Sequence, residues 1–311
     1  MAAALRCCSG VLALCLATPL ALAEDARDWL ERMTSASQQY SYQGSFIYER
    51  TGHFTTHHIW RQANEQGIVE RMVRTDGPAH EWLRQNGMLM CASSLEVASS
   101  VGTDDRVNEQ TSLLHNWYVL QVLGQTRVAA RPAVVISLQP RDAFRYAYEL
   151  YLDRETGLLL KSLLINERDT LLERFQFTTV DYSPLDPAAL QPGNTCLPLL
   201  ETRAKSPEQP TTIDAGWLPS GFSLAYEHFA NGDDSGLVTQ VYTDGLARFS
   251  IFIEPLKEMD QADDLRAQLG PTVAVSRTLR SGDENYLATV VGELPVAAAE
   301  RIANALQGAA Q

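Results

Sequence analysis

Residues 126–180 consist of extended segments joined by short turns, and they constrain the fold more than any other part of the chain. Within residues 146–153 every second position is apolar: Tyr146, Tyr148, Leu150 and Leu152. The positions between them include the charged residues Glu149 and Asp153. A period of two is typical of a strand with one buried face. The turns at 154–157 and 167–169 therefore predict an antiparallel meander with one continuous apolar face.

A single amphipathic helix is predicted over residues 25–40, before the sheet begins. Trp29, Leu30 and Met33 fall at helical spacing, and Asp25 stands at the start, where the helix dipole favours anions. One helix is too small to cover so wide an apolar face. We therefore expect the sheet to curl around the helix and to leave an apolar groove or cavity.

The predicted groove would be lined by large apolar side chains from both walls. The candidates are Trp29, Phe46, Tyr48, Tyr146, Tyr148, Leu150, Phe175 and Phe177. The competing interpretation is that these side chains form a filled core.

Hairpin and helix signals extend the β-rich pattern in both directions. Asn86-Gly87 and Asp244-Gly245 each separate two short extended segments, and such dipeptides supply the positive φ angles of two-residue hairpin turns. Another hairpin is predicted around a turn at 50–53. A short helix is predicted around 112–123 and a terminal helix over 295–307.

Residues 183–212 divide the chain, since they contain six prolines and little apolar periodicity. This composition is typical of an inter-domain connection. We predict a large N-terminal domain over residues 24–182 and a small α+β domain over residues 213–308. The predicted fold class is α+β and rich in strands. It combines an N-terminal curved antiparallel half-barrel sheet wrapped on helices with a smaller C-terminal antiparallel sheet that carries a terminal helix.

The N-terminus has the pattern of a secretory signal peptide. Arg6 precedes an uncharged run at 11–22 that ends in Ala21-Leu22-Ala23, the small-x-small pattern of a cleavage site. We therefore expect residues 1–23 to be removed and the protein to be exported. The formal net charge then changes from −13 to −14, because Arg6 is lost. This charge argues against unspecific binding to nucleic acid or to anionic membrane surfaces, and it leaves a local basic patch open.

Two cysteines, Cys91 and Cys196, remain after residue 23. In an oxidising compartment two thiols either pair or stay free. We hypothesise a Cys91–Cys196 disulfide, with two free thiols as the alternative.

The histidines His53, His57 and His58 do not form a metal site by their spacing. On a strand, His53 and His57 lie about 13 Å apart, and His57 and His58 point to opposite faces. An exposed hairpin face that carries imidazoles is the preferred interpretation. The sequence lacks the Gly-x-Ser-x-Gly, His-Glu-x-x-His and phosphate-loop motifs. We predict no catalytic residue, no metal and no cofactor.

Five separated parts of the chain carry a family resemblance. They read GSFIYERTG, RYAYELYLDRETGLLLKSLLIN with LLERFQF, GWLPSGF, VYTDGLARFSIFIE and ATVVGELPVAAAERIANAL. In that order they resemble the MucB/RseB family, the periplasmic regulators of the envelope-stress (sigma-E) pathway. The resemblance spans nearly the whole chain after residue 23.

The resemblance implies a lipoprotein-carrier-like N-terminal domain and a smaller C-terminal domain. It implies two kinds of partner. One is the periplasmic domain of a membrane anti-sigma factor, which family members shield from the initiating protease. The other is lipopolysaccharide or lipoprotein acyl chains, which release that hold. With this resemblance, we expect the acyl chains to enter the predicted groove between the helix at 25–40 and the sheet. A periplasmic carrier of lipids or lipoproteins is the alternative, although a carrier has no need for residues 213–308. The sequence leaves the oligomeric state open, a homo-oligomer included.

We place the partner surface on the C-terminal domain and the connection. The candidates are Trp217, Phe222, Tyr242 and Phe249. Trp217 and Phe222 flank the loop at 218–221, where exposed aromatic side chains would serve as anchors. The alternative is that the four side chains pack the small core, and this is the favoured interpretation for Phe249.

Overall fold

The computed structural model describes residues 25–94, 113–199, 213–229, 237–256, 264–281 and 284–308. The predicted signal peptide and residues 200–212 of the predicted connection lie outside these ranges. None of the helices within them is both long and apolar enough to cross a membrane.

The N-terminal part contains helices α1 (Ala26–Gln39) and α2 (Leu114–Trp117) and a 3-10 turn at Pro187–Leu190. Its strands are β1 (Tyr42–Arg50), β2 (His53–Asn64), β3 (Gly67–Arg74), β4 (Glu81–Gln85), β5 (Met88–Ala92), β6 (Tyr118–Val128), β7 (Arg131–Pro140), β8 (Ala147–Asp153), β9 (Leu159–Ile165), β10 (Leu171–Asp181) and β11 (Leu197–Pro198). These strands form one antiparallel sheet in the order β11-β5-β4-β3-β2-β1-β10-β9-β8-β7-β6.

The C-terminal part contains one longer helix and two small sheets. Its elements are β12 (Ile213–Ala215), β13 (Ser223–Phe229), β14 (Val238–Thr243), β15 (Arg248–Leu256), β16 (Arg266–Leu269), β17 (Thr272–Ser281), β18 (Glu284–Glu293), α3 (Val296–Ala305) and β19 (Leu306–Gly308). The six-stranded sheet of this part, called the small sheet below, has the order β13-β14-β15-β18-β17-β16. The other sheet consists of β12 paired with β19. Helix α3 contacts β17 and β18 and buries Ala299 and Ile302 in this core.

Helix α1 begins and ends as its sequence predicts. The Asp25 carboxylate accepts a hydrogen bond from the Arg27 backbone N–H at 3.1 Å, which caps the first turn. The helix buries Trp29, Leu30 and Ala36 on one side, and the backbone becomes extended at Tyr40.

The large sheet curls around α1. The helix contacts both β2 and β6, although five strands separate these two in the sheet order. In a flat sheet β2 and β6 would lie roughly 29 Å apart, whereas a helix with its side chains is only about 10–12 Å wide. Strand β6 also contacts β10, which requires the same curvature. The predicted curved antiparallel sheet is therefore confirmed.

The predicted turn between β4 and β5 is present. Asn86 and Gly87 have φ angles of 49° and 79°, so both residues adopt the left-handed conformation of a type I′ turn. The β1–β2 hairpin turns in the same way at Thr51 and Gly52.

The helix predicted around 112–123 is wrong from Tyr118 onward, where the chain enters β6; residue 112 lies outside the described ranges. Tyr118 is buried and Leu120 packs against the core, whereas Val119 is exposed. The apolar run therefore follows a period of two, and pairing with β7 overrides the local helical tendency.

The predicted connection begins as part of the large sheet. Strand β11 pairs with the edge strand β5, and a disulfide joins Cys91 to Cys196 with an S–S distance of 2.02 Å. The buried Glu81 carboxylate accepts hydrogen bonds from the Gly193 N–H at 2.7 Å and from the Thr195 hydroxyl at 2.8 Å. Residues 193–198 are thereby fixed to the N-terminal domain.

Replacing both bridged cysteines, Cys91→Ser with Cys196→Ser, should lower the free energy of unfolding by about 4 kcal/mol. The bond links residues 105 positions apart, so it restricts the unfolded chain strongly. Urea denaturation of the oxidised protein and of the double variant measures the difference. Two titratable thiols in the denatured, unreduced protein would contradict the pairing.

Candidate functional site

A cleft of about 780 Å³ lies between α1 and the large sheet. This volume falls within the range of small-molecule sites, about 300–1,000 Å³. Its lining residues are Met33, Thr34, Ser37, Gln38, Tyr42, Arg61, Asn64, Gly67, Ile68, Glu70, Arg84, Asn86, Gly87, Leu158, Leu159, Phe175 and Phe177.

One end of the cleft is charged. Cross-strand pairing places Arg61 of β2, Glu70 of β3 and Arg84 of β4 side by side. The Glu70 carboxylate accepts hydrogen bonds from Arg61 and from Arg84, the latter at 2.6 and 2.8 Å. Arg61 also donates to the Ser37 carbonyl in the last turn of α1. The charged group thus joins the helix to the sheet.

The opposite end of the cleft is apolar. Phe175 and Phe177 project from β10, their ring centroids 5.2 Å apart. Leu158, Leu159 and Met33 complete this wall from the start of β9 and from α1. The cleft is therefore divided between a charged wall and a hydrocarbon wall.

The structure brings two of the eight predicted lining residues, Phe175 and Phe177, to this cleft. Trp29 and Leu150 are buried between α1 and the strands β6–β8, and Tyr148 packs against the same cluster. These three side chains fill a core.

The remaining predicted lining residues lie elsewhere. Phe46 is buried beside Phe177, and Tyr48 packs on that cluster while its hydroxyl donates to Glu173 at 2.5 Å. The Tyr146 hydroxyl donates to the Leu294 carbonyl at 3.0 Å, so Tyr146 contacts the C-terminal domain.

His57 differs from the expected exposed imidazole. It is only 7% exposed and stacks on Phe46 with ring centroids 5.0 Å apart. Burial, assisted by His80 and Arg74, lowers the pKa of His57 to about 4. His53, in contrast, is exposed. In the described ranges, no three His, Cys, Asp or Glu side chains are grouped to hold a metal ion.

A buried ion pair connects the two domains. The Arg145 guanidinium, just before β8, donates to the Asp244 carboxylate at 2.7 Å, and both side chains are fully buried. The Tyr118 hydroxyl donates to the same carboxylate at 3.2 Å. Arg145 also donates to the Ser220 carbonyl at 2.6 Å. Burial raises the pKa of Asp244. The backbone N–H groups of Leu246 and Ala247 and the Arg145 guanidinium favour the charged carboxylate and offset part of this rise.

A second inter-domain contact joins the β1–β2 hairpin to the small sheet. Arg50 forms ion pairs with Glu173 of the large sheet and with Glu293 of β18. It also donates to the Thr272 hydroxyl at 3.1 Å. A groove of about 670 Å³ also lies at the junction, and its walls include Tyr146 and Gln268.

The four predicted partner residues differ in exposure. Phe222, Tyr242 and Phe249 are buried in the C-terminal core. This is the interpretation favoured for Phe249, whereas Phe222 does not form the expected exposed anchor. Trp217 stays half-buried at the domain junction. Its ring lies 4.9 Å from that of Phe144, and the Arg301 guanidinium covers it at 4.0 Å.

Lowering the pH from about 7 to 4 should destabilise the protein through His57. Its pKa is about 4 in the folded state and about 6.5 in the unfolded state, so the unfolded chain binds the extra proton within this window. The variant His57→Phe should show a smaller loss of unfolding free energy between these pH values.

Chemical denaturation at several pH values measures this difference, with His53→Gln as the control at an exposed position. The assignment fails if His57→Phe and the wild type lose the same stability over the window.

Comparisons with known proteins cover almost the whole chain. The MucB/RseB N-terminal domain model matches residues 25–195, and the MucB/RseB C-terminal domain model matches residues 207–307. The sigma factor AlgU regulatory protein MucB of Pseudomonas aeruginosa is 42% identical over 93% of this chain and 92% of its own length. The sigma-E factor regulatory protein RseB of Escherichia coli is 28% identical over 91% of each chain.

Among solved structures, a crystal structure of MucB in complex with MucA(peri) matches with a TM-score of 0.79 and 41% identity. The match covers 92% of this chain and 100% of that one. Both domain models and the identity to MucB over nearly the full length lead to one conclusion: the chain belongs to the MucB/RseB family.

Proposed function

We propose that this protein is a regulator that binds the periplasmic region of a membrane anti-sigma factor. Binding shields the anti-sigma factor from regulated proteolysis, and lipid or lipoprotein ligands end the shielding. The observation that carries the proposal is the match to MucB in its complex with MucA(peri), which extends over both domains. A protein that only carried lipids would not need the second domain.

The proposed place of action is the periplasm, reached by cleavage after residue 23. The Cys91–Cys196 disulfide supports this location, because disulfides persist in oxidising compartments. The relatives are named regulatory proteins, which favours a binding role over an enzymatic one.

The cleft beneath α1 supports the lipid response. Each CH₂ group buried there would contribute about 0.8 kcal/mol, so one acyl chain can outweigh a modest protein contact. A lipid can change partner binding only if it has different affinities for the free and the partner-bound protein.

The fold offers a route for such coupling. Helix α1 contacts β2 and β6, and Tyr118 at the start of β6 reaches Asp244 of the C-terminal domain. Strand β1 ends at Arg50, which pairs with Glu293. A ligand that moves α1 away from the sheet would therefore alter both contacts between the domains.

Delipidated protein should bind the periplasmic segment of its anti-sigma factor, and saturating lipid should weaken that binding. We expect a rise in Kd of about fivefold or more, since linkage energies of about 1–3 kcal/mol are common. Titration calorimetry of the segment with and without lipid measures the change. An unchanged Kd would reject the lipid response and leave a plain inhibitor of proteolysis.

The junction around Trp217 is the proposed partner surface, because Trp217 alone among the four predicted residues is half-buried rather than buried in the core. The variant Trp217→Ala should weaken binding of the anti-sigma segment about tenfold or more. Trp217→Phe preserves packing on Phe144 and should retain most of the affinity.

Melting temperatures of both variants show whether a loss of affinity comes from loss of folding. Phe249→Leu is the control, because it changes a residue buried in the C-terminal core. A lower melting temperature of Trp217→Ala with unchanged affinity would assign Trp217 a purely structural role.

A further inference from the structure

The two edges of the large sheet are closed in different ways. Strand β11 ends the sheet on one side with two residues, held there by the Cys91–Cys196 disulfide. Strand β6 ends it on the other side with 11 residues. Within the described residues, the backbone of residues 119–128 hydrogen-bonds to β7 alone. A long edge strand with unpaired backbone groups is a template for another strand.

Strand β6 lacks most of the features that keep sheet edges from pairing. Proteins protect such edges with lysine, proline, inward-pointing charges or very short strands. The sequence of β6 contains no lysine and no proline, and Arg127 is its one charged residue. A bulge between Val122 and Gly124 bends the strand. Residues 118–122 therefore form a regular edge that is open to pairing.

The outward side chains of β6 suit contact with an added strand. Val119 and Leu123 are 46% and 51% exposed, and Gln121 between them is exposed as well. When an extended segment adds to a sheet edge, backbone hydrogen bonds supply affinity and alternate side chains supply specificity. The two apolar side chains are contact points for alternate apolar residues of such a segment.

The charge around this edge is positive, although the protein is acidic. Residues 113–141 contain no Asp or Glu, whereas the whole chain has a formal net charge of −13. Arg127 and Arg141 are exposed. The Arg154 guanidinium donates to the Gln125 side chain at 3.5 Å, which adds a third positive charge to the strand.

Carboxylates near this region are already paired. Asp153 and Glu155 both form ion pairs with Arg131, and Asp244 pairs with the buried Arg145. A second copy of β6 would bring further positive charge to the edge, and like charges on facing strands are destabilising. An acidic segment complements the edge instead.

We propose that the free edge of β6 binds an extended acidic segment of a partner protein, which adds a strand to the large sheet. The backbone of residues 119–122 bonds to the added strand, and Val119 and Leu123 contact its apolar side chains. Arg127 pairs with one of its carboxylates. This surface goes beyond the function proposed above, because neither the cleft beneath α1 nor Trp217 takes part in it.

The test measures binding of a fluorescent eight-residue peptide of alternating valine and glutamate by fluorescence anisotropy. A peptide with lysine in place of glutamate should bind about tenfold more weakly or worse, because its charge is reversed. Two further acidic peptides carry methyl groups on the valine nitrogens or on the glutamate nitrogens. One of the two should lose binding, since alternate N–H groups of an added strand point to the sheet edge.

The variant Leu123→Glu should raise the Kd of the acidic peptide about tenfold, because it removes an apolar contact and adds a like charge. Leu269→Glu is the matched control. Leu269 is also exposed and also stands on an edge strand, β16 of the small sheet. This control should leave the Kd unchanged. If Leu123→Glu fails to fold, Arg127→Gln decides the proposal and must weaken binding of the acidic peptide.

Three results would overturn the proposal: no binding of the acidic peptide, equal binding of the lysine peptide, or equal losses in Leu123→Glu and Leu269→Glu. Retained binding of both methylated peptides would exclude an added strand. Sedimentation velocity tests the other occupant, since a dimer that Leu123→Glu dissociates would assign the edge to a second copy instead. No anti-sigma segment and no lipid is present, so a failure here leaves the proposed function untouched.

Discussion

The structure depends on covering a very wide apolar sheet face with one short helix. Eleven strands would span roughly 48 Å if flat, whereas the 14 residues of α1 form a cylinder about 21 Å long. Curling the sheet brings distant strands onto opposite sides of the helix and buries Trp29 and Leu150. Helix α1 does not fill the whole concave face, and a cleft remains between the helix and the sheet. The cavity is thus a geometric result of a large sheet and a small helix.

Buried charges hold the domain junction together beside aromatic contacts such as that between Phe144 and Trp217. Arg145 and Asp244 are both fully buried, and each would be costly to leave without the other in a medium of low dielectric constant. Such a pair specifies one relative position of the two domains, because small displacements break its hydrogen bonds. Arg50 adds a second attachment point through Glu293. The two domains are therefore joined by ion pairs at two separate places.

The sequence predicts local structure well where a period or a turn residue is decisive. The alternation at 146–153 and the Asn86-Gly87 turn define strands that the structure contains. The segment at 118–123 was assigned to a helix because its apolar residues are too dense to distinguish a period of two from one of 3.6. The charged end of the cleft was missed, since the contacts of Arg61, Glu70 and Arg84 depend on the register of three strands. Burial of Phe222 likewise depends on tertiary packing, which no local pattern reveals.

The two-residue strand β11 has a consequence for the behaviour of the chain before it is oxidised. It covers the edge of β5, where Met88 and Met90 stand exposed, and the disulfide next to it holds it there. An uncovered edge strand offers unpaired backbone groups to other chains and promotes aggregation. In a molecule with reduced cysteines, this cover is held by the pairing of β11 with β5, by the hydrogen bond from the Leu199 N–H to the Met90 carbonyl, and by the hydrogen bonds to Glu81. Resistance to self-association is therefore completed by a redox reaction, which makes the solubility of this fold depend on the chemistry of its surroundings.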